Sequence, residues 1–138
     1  MRISAVILSL FFCSATFAQV ATFKVKGDTA KGEVYTIVEE MPEFPGGMKN
    51  MYDFVGKNIV YPKKELKANI QGKVFVKFIV EEDGSIGKVE VMRGVPNGKA
   101  LDDEAVRVVK AMPKWTPGKL NGKAVRVFYN LPVNFKIK

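Results

Sequence analysis

Side chains able to do covalent or acid–base chemistry are scarce in this chain of 138 residues, which has no histidine and a single cysteine, Cys13. Ser85 is the only serine after Ser14. It follows a turn glycine and lacks the strand-to-helix elbow that presents a nucleophilic hydroxyl. Carboxylates remain. Glu39, Glu40 and Glu43 form one group, but they sit beside proline-rich turns and read as solvated charges, not as an acid–base pair. Asp102, Asp103 and Glu104 form another, and their place in the first turn of a predicted helix explains them as partners of the helix dipole. No spacing of potential ligands suits a transition metal. The sequence predicts no enzyme, no cofactor and no metal.

The chemistry left is that of the backbone, and it is concentrated in the last stretch, Lys123 to Ile137. Its odd positions, Val125, Val127, Tyr129, Leu131, Val133, Phe135 and Ile137, are all apolar. Its even positions are polar except for Ala124, Phe128 and Pro132. Period two predicts a strand with one buried face. The run of about 13 residues, roughly 43 Å at about 3.3 Å each, is far longer than an ordinary strand of about 5–6 residues. Pro132 has no N–H for a ladder, which confines it to an edge or a bulge. A long exposed edge is a template for a partner strand.

The preceding elements must hold that strand. Val34 to Val38 reads as a short strand ended by the turn-forming Met41 to Gly47. Met48, Met51, Tyr52 and Val55 make one stripe of a helix from Met48 to Asn58. A second helix, Lys63 to Ile70, is started by Pro62 and ended by Gly72, with Leu66 and Ile70 as its buried edge. Lys73 to Val80 is apolar on both faces except for Lys77, as in a central strand covered on both sides. Asp83-Gly84 turns it into Ile86 to Met92, with Val89 and Val91 inward. Leu101, Ala105, Val108, Val109 and Met112 are the stripe of the best helix, stopped by Pro113. Trp115 is expected to cap the core, and Pro117-Gly118 with Asn121-Gly122 lead into the final strand. The predicted product is α+β: a three-stranded antiparallel sheet with helices packed on one face, its free edge the final strand, plus an extra short N-terminal strand.

Composition is that of one globular domain, 47% hydrophobic and 26% charged. Arg2, the apolar run Ile3 to Cys13 and the small residues Thr16 and Ala18 suit a cleaved signal peptide over residues 1–18. An uncleaved anchor in the inner membrane is the lesser alternative. Residues 19–33 then form a short spacer and 34–138 the domain. The net charge of +8 suits acidic partners. Its lysines are scattered and not interleaved with aromatics, which argues for a solubilising surface and against nucleic acid.

Tyr61-Pro62, Gly72-Lys73-Val74, Phe78 to Val80 with Asp83-Gly84, Leu101 with Glu104-Ala105, Pro113 to Gly118 (PKWTPG), Asn121-Gly122-Lys123 and Leu131 to Phe135 (LPVNF) together resemble the C-terminal periplasmic domain of TonB, the energy transducer of Gram-negative outer-membrane uptake. Glu39 to Gly47 (EEMPEFPGG) is similar to the Bacteroidetes-type version. The resemblance spans about residues 34–138. It implies a periplasmic binding module that takes up an extended receptor peptide, the TonB box, by strand addition in support of energy-dependent transport. The partner-binding residues it implies are Asn58, Ile59 and Val60, and Val125, Arg126, Val127, Phe128, Tyr129 and Asn130.

A full transducer of that family carries a histidine-bearing membrane helix and a long Pro-rich stalk. This sequence contains no histidine and only a short spacer. Energy coupling is therefore expected to be borrowed, from inner-membrane coupling proteins or another TonB. The alternative is a regulatory or structural relative whose Val34 to Val38 occupies the edge of its own domain, or a homodimer through that edge.

Overall fold

The computed structural model describes Lys24–Val25 and residues 32–138. The signal peptide expected over residues 1–18 and most of the expected spacer lie outside the described residues. The elements in chain order are β1 (Lys24–Val25), β2 (Val34–Tyr35), α1 (Met48–Asn58), α2 (Lys63–Lys67), β3 (Gly72–Val80), β4 (Ile86–Arg93), α3 (Lys99–Lys110), β5 (Gly118–Leu120) and β6 (Lys123–Phe135). In space the sheet runs β1-β2-β6-β3-β4, with β5 also on β6. β3 is central and antiparallel to both β4 and β6, as expected. It forms the α+β frame with helices over one face.

Alternation on β3 and β6 supplies that buried face. Val74, Val76, Phe78 and Val80 of β3 meet Leu131, Val133 and Phe135 of β6, and α3 closes over them with Leu101, Ala105, Val108 and Val109. All five residues of the predicted α3 stripe are buried. Trp115 is 3% exposed and stands between Phe44, Phe78 and Tyr129 at ring separations of 5.7, 5.5 and 4.8 Å. It closes the end of the core, as expected. The β3–β4 turn is held by Asp83, whose Oδ1 accepts the Ser85 N–H at 2.9 Å and hydroxyl at 2.6 Å. Those two bonds hold the Asp83 carboxyl below its ordinary range.

Several local expectations are corrected. α2 is five residues long, not eight, and ends at a left-handed Asn69 (φ 55°) instead of Gly72. Ile70 N–H bonds to Glu65 O and Asn69 N–H to Leu66 O, the Schellman pattern that stops a helix. A helix this short has no room for a stripe. Leu66 is 41% exposed, and Glu65 takes the buried position. On α1, Met51 and Val55 are buried but Met48 and Tyr52 are exposed. Val91 of β4 is likewise on the surface. β3 is covered on both faces only at Ile79, since Lys73 and Phe75 on the far face are exposed. The helices take one face of the sheet, and of the far-face residues of β3 only Ile79 is buried.

Candidate functional site

β6 is 13 residues long because its odd-numbered side chains find the core along most of its length. Val127, Leu131, Val133 and Phe135 are buried, and Tyr129 packs on Trp115 and Phe78. Burial pushes the Tyr129 phenol above its ordinary value, with the nearby Tyr52 adding to the shift. The β3–β6 register runs from Gly72–Phe135 to Val80–Val127 without a shift, with Phe75 opposite Pro132. Pro132 has no N–H, so an unbroken ladder requires it to face away from β3. Successive residues alternate, so Ala124, Arg126, Phe128, Asn130 and Asn134 also turn their backbone groups outward.

Part of that outer edge is taken. β2 lies along it in parallel, Val34 opposite Arg126 and Tyr35 opposite Val127. The extra N-terminal strand expected from Val34 to Val38 therefore exists over Val34–Tyr35, and it sits on the edge assigned to a partner. Val34 is fully buried there. Arg126, on the polar face of the pattern, is only 4% exposed. Its Nε donates to Glu81 Oε2 at 2.7 Å, Nη2 to Glu81 Oε1 at 3.3 Å, and Nη1 to Gly32 O at 3.2 Å. A buried guanidinium needs such partners. Nothing in the local pattern marks Glu81 as the counter-ion, since it lies 45 residues away.

The other predicted contacts divide. Val125 is half-buried and pairs with Gly118 of β5. Phe128 is half-buried, with Lys77 Nζ 4.1 Å over its ring. Asn130 is exposed opposite Lys77. From Tyr129 to Phe135 no strand among the described residues lies on the outer side.

Asn58, Ile59 and Val60 are elsewhere. Tyr61, directly after them, packs edge-on against Phe135 at 5.6 Å. That places them toward the end of β6 opposite Arg126. Their backbone is also engaged: Val60 N–H bonds to Glu104 Oε1 at 2.9 Å, Arg107 Nη2 donates to Asn58 O at 2.7 Å, and Ile59 N–H bonds to Val55 O. Glu104, read from the sequence as a first-turn charge, is thus a clamp on the segment before Tyr61.

Arg107 and the Val60 N–H hold the Glu104 carboxyl below its ordinary value, the Arg107 bond being the larger cause. A depressed folded value adds stability that is complete above the unfolded value near 4.5 and is lost as pH falls through the folded one. Glu104→Gln is expected to cost about 1 kcal/mol at pH 7. It should also flatten the fall in stability on the acid side of pH 5, measured by urea titrations at a series of pH values.

Among the described residues no helix is long and apolar enough to cross a membrane, and no cluster of His, Cys, Asp or Glu could hold a metal. The family model for the Gram-negative bacterial TonB protein C-terminal matches residues 57–137. Two solution structures of the Helicobacter pylori TonB C-terminal domain are similar. One is 20% identical, with TM-score 0.49, over 64% of this chain and 90% of that one. The other is 21% identical, with TM-score 0.47, over 63% and 77%. No curated relative matches. The family match covers more than half of the sequence and takes in α2, the three-stranded frame, α3 and all of β6, and on it the chain belongs to the Gram-negative TonB C-terminal family.

Proposed function

We propose that this protein is a periplasmic module that binds the TonB box of an outer-membrane receptor as an added strand on the outer edge of β6. TonB C-terminal domains are non-enzymatic interaction modules of envelope transport. The observation that carries the finer reading is β2. Two residues of this chain already lie as a strand on that edge, which supports an edge of the right twist and exposure to accept another. Backbone bonds supply most of the affinity in such an addition, and pockets for alternate side chains supply selectivity. A groove of about 300 Å³ lined by Met41, Phe44, Met48, Trp115 and Tyr129 opens on the helix side of the sheet and offers a place for an apolar side chain. The net positive charge suits an acidic peptide. Energy would come from inner-membrane coupling proteins or from another TonB.

The test is a titration of the isotope-labelled protein with a TonB-box peptide, followed by amide exchange. Slowed exchange at Ala124 and Asn130, whose N–H groups face outward, is the expected result. Perturbation confined to β4, the opposite edge of the sheet, would overturn it.

A further inference from the structure

We propose that β2 is a displaceable plug: Gly32 to Tyr35 hold the one stretch of the β6 edge that a partner strand needs, so that β2 docking and peptide binding exclude each other. This rests on the strand-addition reading above.

The argument starts from Pro132. Beyond β2, from Tyr129 to Phe135, the outward N–H groups not already facing β2 are those of Asn130 and Asn134, about 13 Å apart at about 3.3 Å per residue. The proline lies between them. An added strand of about 5–6 residues looks for a donor at every second position. That condition fails across Pro132. It is met on the other side, where Ala124, Arg126, Phe128 and Asn130 supply outward donors in succession. β2 sits in the middle of this run, at Arg126 and Val127.

The plug is built to yield. Its ladder is two residues long, and beside it lies a cleft of about 420 Å³ lined by Gly32, Glu33, Leu120, Ala124 and Arg126. An incoming chain can seat itself there against Ala124 before β2 leaves. Arg126 does not depend on β2 for its position, because Glu81 holds its Nε and Nη2. When Gly32 O departs, Nη1 is left pointing at the vacated edge. The guanidinium then offers one donor to a carbonyl or carboxylate of the newcomer. A partner peptide with an acceptor at that position is selected over one without it.

A reversible lock tests the plug. Tyr35 and Val127 are direct Cα partners, within the reach of a disulfide. Tyr35→Cys/Val127→Cys is placed in the full chain with Cys13→Ser. Oxidised, it is expected to bind the TonB-box peptide at least about tenfold more weakly than when reduced, as follows when the competent state is populated less than about a tenth of the time. In a separate chain, Tyr35→Pro removes the N–H that the parallel register aims at Arg126 O, and is expected to raise affinity severalfold. Equal affinity in the oxidised and reduced lock, or no gain with Tyr35→Pro, overturns the plug and leaves strand addition standing. No binding by the wild type, the reduced lock and Tyr35→Pro alike overturns both.

Discussion

Gly84→Ala is expected to destabilise the protein by about 3 kcal/mol or more, a large share of the roughly 5–15 kcal/mol that holds an ordinary domain together. A Cβ at this position would lie 1.9 Å from Trp115 O and 3.0 Å from Trp115 C. Both are backbone atoms, so no side-chain rotation relieves the overlap. The residue also has φ +86°, a conformation that L side chains rarely adopt. Moving the loop apart breaks the bond from Trp115 N–H to Gly84 O at 2.8 Å, and with it the anchor of the residue at the centre of the aromatic cluster. Gly122→Ala is the control. It has a similar φ of +74° but nothing within 4 Å of the added carbon, so only the conformational cost of about 1 kcal/mol applies. Urea titrations of both variants give the comparison, with tryptophan near-UV dichroism reporting on the cluster. Equal losses would show that the Gly84 loop moves freely and that Trp115 is not pinned by it.

Proline scanning of β6 is expected to separate its two sides. Val127→Pro should cost about 3 kcal/mol or more, since it removes an inward N–H from the ladder with Val80 and a fully buried side chain. Asn130→Pro, three positions on, removes an outward N–H and an exposed side chain. It should cost about 1 kcal/mol in stability and about tenfold in peptide affinity, the effect of one backbone bond left unmade. Phe128 also faces outward. However, its N–H is directed toward β2 in the parallel register, so its loss would weaken plug and partner together. Asn130 is therefore the cleaner position. Thermal melts and peptide titrations of both variants decide it. Equal melting of the two would refute the register, and unimpaired binding by a folded Asn130→Pro would refute strand addition at this edge.

The three-stranded frame and the length of β6 were legible because they rest on periodicity, which depends only on neighbours in the chain. Pro132 went further and assigned which backbone groups point outward, since a missing N–H is a property of one residue wherever it sits. The α3 stripe was legible for the same reason: its five apolar positions are a 3.6-residue period that any helix would bury. α2 was misread because one helical turn offers too few positions for a stripe, and a left-handed Asn69 ended it before the glycine. Glu104 was read as a first-turn carboxylate, but the helix begins at Lys99 and only Asp102 falls in its first turn; the grip of Glu104 on Val60 joins residues 44 positions apart. Arg126 looked like one more solvent-facing charge in an alternating strand.

Only tertiary structure could bury Arg126, because both of its partners are distant, Glu81 at the end of β3 and Gly32 beside β2. The same holds for the edge itself. Sequence alone determined that β6 is long, one-sided and interrupted by a proline, all consequences of residue type and spacing. Whether that edge stands open or is covered depends on where a two-residue segment more than 90 positions away comes to rest. No local period encodes such a contact. It is decided by the packing of Val34 and the hydrogen bond from Arg126 to Gly32 O once the chain has folded.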